Sequence, residues 1–322
     1  MADDGFAMMP GKIGIIGVGQ VGATSAFLLA TVPGVREIVL VDADTDRANA
    51  QAADIAHAAA FGTPAEIKAG SYSDLTGAHV IVITAGSSLE HGQTRLDLLS
   101  KNVSVVSTVL EKVSAVASDA ILLFATNPVD VMPALAVRHF GFPRGRAIAT
   151  GCALDTARFR DRLARHFDIS PRSIHGYVLG EHGDSEVLHW SGVQIAGMPL
   201  AEFAIKRGRP MAPDDYEMIA REVRTSAYRI KQGKGVSNFG IGGCIARLTR
   251  AIVNDEDVVF SVSTYMDNVL GVDNTCISLP QIVDASGASQ PFIPSLDPDE
   301  EEALRRSAMI LREAIDMADR TR

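Results

Sequence analysis

Three glycines, Gly17, Gly19 and Gly22, form a GxGxxG pattern directly after a short apolar run at residues 12–17. Between a strand and a helix, this pattern makes a tight turn, lets a pyrophosphate approach the backbone and presents free helical N–H groups to it. Asp42 comes 20 residues after Gly22, where a carboxylate can bind ribose hydroxyls and repel a 2′-phosphate. The glycines alone could be a structural turn, but together with Asp42 they predict binding of NAD rather than NADP.

Three later segments concentrate polar side chains: GQTRLD at 92–97, LDTAR at 154–158 and GEHGDS at 180–185. Reduction of a 2-oxo acid by hydride needs a proton donor, a clamp for the carboxylate and a positive group beside the carbonyl. Histidine suits the first task because its pKa lies near neutrality, and arginine suits the second through its planar fork. Asp155 and Arg158 are three residues apart, however, so they could also be an ordinary pair on one helix face.

The scaffold for these segments is visible in the alternation of apolar runs along the first half of the chain. Strand-like runs lie at residues 12–17, 36–42, 79–86 and 120–125, and helix-like runs lie between them at residues 21–29, 47–60 and 102–117. This alternation predicts a Rossmann-type, doubly wound parallel α/β sheet. The pattern changes near Thr150, so we expect a cofactor-binding domain at residues 1–149 and a mixed α+β substrate domain at residues 150–322.

A long helix is predicted at the C-terminal end. Asp297, followed by Pro298 and Glu300, is typical of a capped helix start. The next apolar residues recur at helical spacing and share one face; they are Leu304, Ala308, Leu311, Ile315 and Ala318. We expect this face to pack against the body of the protein.

Composition narrows the classes of function. The 322 residues include 30 Lys and Arg and 39 Asp and Glu, a formal charge of -9, and 47% are hydrophobic. This balance argues for folded domains and against disorder or a nucleic-acid surface. The spacing of Cys152, Cys244 and Cys276 fits neither a disulfide ladder nor a CxxC metal site, so we expect a reducing compartment and no metal. The acidic N-terminus and the absence of about 18 consecutive apolar residues predict a cytoplasmic protein without a membrane segment.

Several motifs, in order along nearly the whole chain, resemble the L-lactate and malate dehydrogenase family, and L-lactate dehydrogenases most closely. They are TAGSSLEHGQTRLDLLSKN at 84–102, ATNPVD at 125–130, LDTARF at 154–159, GEHGDS at 180–185, KGVSNFGIGG at 234–243 and ARLTRAI at 246–252. The resemblance implies reversible hydride transfer between NADH and pyruvate, as in glycolysis and fermentation, with a small 2-oxo or 2-hydroxy acid as the substrate.

The family resemblance also implies a role for each catalytic residue. His182 would donate and accept the proton, and Asp155 would orient it. Arg158 would grip the substrate carboxylate, and Arg95, on a mobile loop, would polarise the carbonyl when the loop closes. Asn127 would contact both the substrate and the nicotinamide. The remaining residues that we assign to the cofactor site, beyond the glycine motif and Asp42, are Val21, Arg47, Tyr72, Gly86 and Thr126.

Two positions of the expected substrate pocket depart from the family pattern. Leu89 stands where lactate dehydrogenases usually have Gln and malate dehydrogenases have Arg, and Ser237 stands where lactate dehydrogenases have Thr. A leucine cannot pair with the second carboxylate of malate, and burying that anion unpaired is costly. We therefore expect L-lactate dehydrogenase activity, with a broader L-2-hydroxyacid dehydrogenase for larger apolar 2-oxo acids as the alternative. Malate dehydrogenase activity is disfavoured by Leu89, and a nonenzymatic NAD-binding role is disfavoured by the complete catalytic set.

Regulation and assembly are further implications of the resemblance. Arg160 and His175 match positions that bind fructose 1,6-bisphosphate in the allosteric bacterial lactate dehydrogenases, although they could equally be an exposed helix arginine and a strand histidine. The family also implies a homotetramer or a homodimer. The Ala-rich helix at residues 47–60 could form the interface or be an ordinary core helix.

Overall fold

The computed structural model describes residues 9–62, 65–87 and 95–321. Strands and helices alternate along its first part. The strands are β1 (Met9–Ile16), β2 (Glu37–Val41), β3 (Glu66–Ala69), β4 (Ala78–Ile83), β5 (Ile121–Phe124) and β6 (Ala147–Ala149). The helices are α1 (Gln20–Leu29), α2 (Thr45–Ala59), α3 (Arg95–Val116) and α4 (Met132–Phe140).

These strands form a parallel sheet in the order β3-β2-β1-β4-β5-β6. β1 lies in the middle of these strands, β2 and β3 extend the sheet on one side of it, and β4, β5 and β6 extend it on the other. This is the predicted doubly wound arrangement. The four predicted strands correspond to β1, β2, β4 and β5. The sequence pattern does not predict β3 and β6, because they have only four and three residues and no extended apolar run.

The second part is a mixture of helices and antiparallel strands, as predicted. Its helices are α5 (Ala153–Phe167), α6 (Leu200–Lys206), α7 (Pro213–Lys234), α8 (Phe239–Val253) and α9 (Pro298–Thr321). Its strands are β7 (Ile174–His175), β8 (Val178–Leu179), β9 (Val187–Leu188), β10 (Gln194–Ile195), β11 (Met198–Pro199), β12 (Val258–Val269), β13 (Val272–Asp284) and β14 (Gly287–Ala288). Ser263 of β12 pairs with Ala149 of β6, so the large sheet continues from the parallel strands into the antiparallel ones.

Apolar side chains cover both faces of the parallel sheet. On one face Val103 and Leu110 of α3 pack with Ile81 and Phe124, and the other face includes Leu29 of α1. Because both faces are buried, the strands read as continuous apolar runs rather than as alternating ones. A further cluster joins α5 and α7, with the Phe159 and Trp190 rings edge to face at 4.7 Å. The substrate-side elements are therefore held by their own apolar contacts.

The C-terminal helix agrees with its prediction. The side chains of Asp297 and Glu300 each accept a hydrogen bond from the main-chain N–H of the other, at 2.8 and 3.2 Å, so a capping box begins α9. The predicted apolar face, Leu304 to Ala318, is buried against the body. Within the described part of the chain, no helix is long and apolar enough to span a membrane. No cluster of three His, Cys, Asp or Glu side chains suited to a metal is found among those same residues.

Candidate active site

The glycine motif lies between β1 and α1, at the carboxyl end of the parallel sheet. Gly17 has φ +92°, and a Cβ there would lie 2.5 Å from the Ala85 nitrogen. A Cβ at Gly22 would lie 2.0 Å from the Gly17 carbonyl oxygen, whereas one at Gly19 would meet nothing within 4 Å. Gly17 and Gly22 are therefore required for packing, and Gly19 faces open space where a phosphate group fits against the backbone.

Asp42 follows β2 and points toward the glycine turn. Its Oδ2 accepts a hydrogen bond from the Val18 N–H at 2.7 Å, and its Oδ1 accepts one from the Asp44 N–H at 2.9 Å. Each carboxylate oxygen has a further lone pair for a ribose hydroxyl. Arg47 donates to Asp44 at 2.9 Å and lies 3.8 Å from Asp42, while Val21 is half-buried in the first turn of α1. Val21, Asp42 and Arg47, all assigned to the cofactor site, thus lie near the glycine turn.

Two further residues assigned to the cofactor site, Gly86 and Thr126, follow the ends of β4 and β5. Thr126 donates to the Ala85 carbonyl at 2.8 Å, and a Cβ at Gly86 would lie 2.5 Å from the Thr126 methyl group. Tyr72 is half-buried beside β3, where burial and then the charge of Asp42 raise the pKa of its hydroxyl. The cofactor residues predicted from sequence therefore line one edge of the sheet.

Asn102 is a functional position that the sequence reasoning missed. It is fully buried in α3, where its Oδ1 accepts from the Ser87 N–H at 2.7 Å. Its Nδ2 donates to the carbonyl oxygens of Ser87 and Asn127 at 3.0 and 2.7 Å. The side chain thereby holds together the segments that follow β4 and β5. An amide on the otherwise apolar face formed by Leu99, Val103 and Val106 was the available signal.

His182, Asp155 and Arg158 form one hydrogen-bonded cluster. The Nδ1 atom of His182 donates to Asp155 Oδ2 at 2.5 Å, and the Nη1 atom of Arg158 donates to Asp155 Oδ1 at 2.7 Å. The side chains of Asp155, Arg158 and His182 are 2%, 15% and 28% exposed. Asp155 and Arg158 do lie one helical turn apart on α5, but the aspartate also contacts a histidine 27 residues away. The pair is therefore part of a larger site.

The electrostatics of the cluster favour a protonated histidine. The negative charge of Asp155 raises the pKa of His182 to about 9, although burial of the ring acts in the opposite direction. Burial disfavours the charged form of Asp155, but His182 and Arg158 together lower the pKa of this carboxyl. Because Nδ1 is engaged with Asp155, Nε2 is the ring nitrogen that can exchange a proton with a substrate.

The catalytic loop, residues 180–185, connects β8 to β9 and is held from three sides. Asp130 Oδ2 accepts a hydrogen bond from the His182 N–H at 2.8 Å, and Ser307 Oγ of α9 accepts one from the Glu181 N–H at 2.7 Å. Gly180 exchanges two backbone hydrogen bonds of 3.0 Å with Ser278 of β13. Asp130 lies within the quoted ATNPVD motif, but no role was assigned to it from sequence, nor to Ser278 or Ser307.

The substrate-pocket residues are described only in part. Leu89 lies outside the described residues, and so does the side chain of Arg95, whose backbone begins α3. Ser237 is half-buried in the link between α7 and α8. The next residue, Asn238, donates to Thr24 Oγ1 of α1 at 2.8 Å, so this link is attached beside the glycine motif.

Of the two residues assigned to an effector, Arg160 contacts the residue that follows His175. Arg160 donates to the Gly176 carbonyl at 2.9 Å, and its guanidinium carbon lies 5.0 Å from the centre of the Tyr177 ring. His175 is exposed on β7, directly before Gly176. The remaining histidines near α9 have structural contacts: His139 pairs with Asp319 at 2.8 Å, and His189 contacts the Ser295 carbonyl at 3.0 Å.

Comparison with known proteins agrees with the geometry. Residues 11–149 match the model of the lactate/malate dehydrogenase NAD binding domain, and residues 152–321 match that of the lactate/malate dehydrogenase alpha/beta C-terminal domain. The chain belongs to the lactate/malate dehydrogenase family. Members of this family are NAD-dependent oxidoreductases, so the cofactor predicted from the glycine motif and Asp42 is confirmed.

Individual family members are similar over nearly their whole length. The chain is 48% identical over 303 residues to an L-lactate dehydrogenase of Thermus aquaticus, covering 94% of this chain and 98% of that protein. It is 44% identical to an L-lactate dehydrogenase of Geotalea daltonii, with 95% and 98% covered. Among solved structures, a lactate dehydrogenase from a Medee basin deep-sea metagenome library has a TM-score of 0.92 at 35% identity, with 97% and 100% of the chains covered. The minor L-lactate dehydrogenase of Enterococcus mundtii has a TM-score of 0.91 at 34% identity, with 95% and 97% covered.

Proposed function

We propose that this protein is an NAD-dependent L-lactate dehydrogenase that interconverts L-lactate and pyruvate. The observation that carries the proposal is the buried cluster in which Asp155 bridges His182 and Arg158. A proton donor and a carboxylate-binding cation are thereby fixed beside each other. Reduction of a 2-oxo acid requires the first group for the carbonyl oxygen and the second for the carboxylate. The similar proteins named L-lactate dehydrogenase support the same activity.

The cofactor would lie along the carboxyl edge of the parallel sheet. The backbone at Gly17 and Gly19 would hold the pyrophosphate, and Asp42 would accept hydrogen bonds from a ribose. The open space at Gly19 and the oriented carboxylate of Asp42 fit this group. NADH, when bound, supplies the hydride that reduces the carbonyl carbon. In this proposal residues 1–149 serve the cofactor and residues 150–322 serve the substrate.

His182 supplies the proton. Its Nε2–H donates the proton to the carbonyl oxygen of pyruvate. During lactate oxidation the deprotonated Nε2 accepts the proton from the hydroxyl group of lactate. Asp155 stabilises the imidazolium and keeps Nε2 directed at the substrate, because it holds the opposite ring nitrogen at 2.5 Å. This arrangement lets one side chain act as acid in one direction and as base in the other.

Arg158 and Arg95 bind and polarise the substrate. Only one guanidinium nitrogen of Arg158, Nη1, is hydrogen-bonded to Asp155, so other N–H groups remain for two parallel bonds to the substrate carboxylate. Arg95 would approach the carbonyl oxygen when the segment before α3 closes and excludes water. Asn127, whose carbonyl is held by Asn102, would contact the substrate and the nicotinamide.

The choice of 2-oxo acid depends on Leu89 and Ser237. An apolar side chain and a small one suit pyruvate and also leave room for larger apolar 2-oxo acids, each buried methylene contributing up to about 0.8 kcal/mol. A broader L-2-hydroxyacid dehydrogenase is therefore the second candidate. The values of kcat/KM for pyruvate, 2-oxobutyrate, 2-oxoisocaproate and oxaloacetate distinguish the candidates, and a clear preference for oxaloacetate would refute both.

The proposal includes a cytoplasmic homo-oligomer with an anionic effector. The three cysteines are free thiols, as suits a reducing compartment. Phe61, just after α2, is 96% exposed, and a second copy of the chain would cover it in a dimer or tetramer. Arg160 and His175 would bind fructose 1,6-bisphosphate. Light scattering measures the oligomeric state, and the KM for pyruvate with and without the bisphosphate measures the response to the effector. A monomer would refute the first statement, and an unchanged KM would refute the second.

The activity itself is tested by NADH oxidation on addition of pyruvate, in the wild type and in His182→Asn. We expect the variant to lose roughly 10²–10⁴-fold in kcat, the usual contribution of a positioned acid. NADH binding, measured by fluorescence, should be unchanged because the ring is hydrogen-bonded to Asp155 and not to a residue assigned to the cofactor site. A variant that kept nearly normal kcat would show that His182 is not the proton donor.

A further inference from the structure

A second buried carboxyl lies beside the catalytic cluster. Glu186 is the residue between the catalytic loop and β9, four positions after His182, and it is 4% exposed. Its Oε1 atom is buried and has no hydrogen-bond partner among the described residues. Burying a carboxyl oxygen without a partner is unfavourable, and more so when the group is charged. The position therefore calls for an explanation beyond packing.

The groups around Glu186 belong to the active site. Asp155 and Arg158 of α5 and His182 of the catalytic loop all act on its charge, and so does Arg224 of α7. Arg224 approaches closely, but its Nη2 donates to the main-chain carbonyl of Glu186, at 3.2 Å. The carboxyl is thus influenced electrostatically by the residues that are proposed to bind the substrate, and it forms no salt bridge with any described residue.

The surroundings of Glu186 favour its neutral form. Burial, followed by the negative charge of Asp155, raises the pKa of Glu186 to about 8, and the three cations only partly oppose this shift. With Glu186 neutral, three cations, His182, Arg158 and Arg224, face one anion, Asp155. The site then has a positive surplus that suits a substrate carboxylate. An ionised Glu186 would reduce this surplus.

We propose that Glu186 determines substrate affinity by the charge of its carboxyl: the neutral form permits binding of a 2-oxo acid anion, and the ionised form repels it. This inference rests on the proposed function, and it gives Glu186 a role in selecting anions without contact to the reacting atoms. The partnerless Oε1, the burial and the position between α5 and α7 are the geometric basis. Glu186→Gln keeps the shape and neutrality of the protonated form at every pH.

The test measures binding of oxamate, the amide isostere of pyruvate, to the protein saturated with NADH, through quenching of NADH fluorescence. The wild type, Glu186→Gln and Glu186→Asp are compared from about pH 6.5 to about pH 9.5, a range that spans the titration of both Glu186 and His182. The matched control is Glu202→Gln, which removes a carboxylate from an exposed pair with Lys206 in the same half of the chain. Thermal unfolding confirms that each variant is folded.

At the acidic end we expect all four proteins to bind oxamate with Kd values within about twofold of one another, because Glu186 is neutral there. Toward the alkaline end the Kd of the wild type should rise about tenfold more than that of Glu186→Gln, the effect of one added charge near the site. Deprotonation of His182 weakens oxamate binding in every protein. The charge of Glu186 is therefore measured only by the excess, that is, the rise in the Kd of the wild type beyond the rise for Glu186→Gln. Glu186→Asp, which retains an ionisable carboxyl, should keep the excess, as should Glu202→Gln.

Parallel curves for the wild type and Glu186→Gln would overturn the inference while leaving the proposed function intact. Weak binding by Glu186→Gln at every pH would also overturn it, because that result indicates a structural role. In turnover, the excess should appear in the KM for pyruvate, with kcat changed less than about twofold. If the wild type neither binds oxamate nor reduces pyruvate, the proposed function fails, and the role of Glu186 fails with it.

Discussion

Asp130 and His182 are joined by a hydrogen bond of 2.8 Å from the main-chain N–H of the histidine to a carboxylate oxygen of the aspartate. They are 52 residues apart, and the bond links the turn between β5 and α4 to the catalytic loop. Asp130 is buried, and this burial raises the pKa of its carboxyl to about 6. The buried Asp130 carboxyl thereby fixes the backbone of His182, the residue that we propose as the proton donor.

Replacing Asp130 by Ala should therefore misplace His182. We expect kcat to fall about 10–100-fold, since a small displacement of a catalytic group is costly, and the free energy of unfolding to fall by about 1–3 kcal/mol. Asp130→Asn keeps an acceptor oxygen and should lose less of both. Steady-state kinetics and urea denaturation measure the two effects. Asp161→Ala, at an exposed pair with Arg165, is the control and should change stability by less than about 0.5 kcal/mol. Equal effects at both positions would argue against the positioning role.

The contact between His182 and Asp155 should make stability depend on pH. Because the pKa of His182 is raised from its ordinary value of 6.5 to about 9, the pair stabilises the folded state fully below pH 6.5. This stabilisation is lost as the pH rises through about 9, and its size is on the order of 3 kcal/mol. The free energy of unfolding of the wild type should fall over that range by this much more than that of His182→Asn. Identical pH dependence in the two proteins would contradict the assigned pair.

Arg158 should not be replaceable by lysine. A lysine retains the charge but cannot both donate to Asp155 and make two parallel hydrogen bonds to a carboxylate. We expect Arg158→Lys to lower kcat/KM for pyruvate by about 10–1,000-fold, mostly through KM, with NADH binding unchanged. Arg162→Lys, one turn further along α5 in a partly exposed pair with Glu222, is the matched control. The assignment fails if the two substitutions have similar effects on KM.

Gly19 and Gly22 should respond differently to alanine. A Cβ at Gly19 meets no atom within 4 Å, so Gly19→Ala should fold with a stability change below about 1 kcal/mol while weakening NADH binding at least tenfold. A Cβ at Gly22 would lie 2.0 Å from the Gly17 carbonyl, so Gly22→Ala should lower stability by about 2 kcal/mol or more. Thermal unfolding and NADH titration separate the effects. Normal NADH affinity in Gly19→Ala would exclude phosphate contact at this glycine.

The local elements and the cofactor could be predicted from sequence because their signals are contiguous. The apolar runs of β1, β2, β4 and β5 and the glycine motif each lie within a few residues, where periodicity and backbone chemistry act directly. The same is true of the cap and apolar face of α9. β3 and β6 were not predictable, because such short segments become strands only when neighbouring strands supply their hydrogen-bond partners.

The tertiary structure decided which polar residues act together. Sequence alone left Asp155 and Arg158 as an ordinary helix pair or a functional one, and only the fold brings His182 to the other carboxylate oxygen. Asn102, Asp130 and Glu186 gain their importance from partners that lie on other elements. Hydrogen bonds and charge interactions act over a few ångströms in space, so their partners and the pKa values they set depend on packing that no local sequence pattern records.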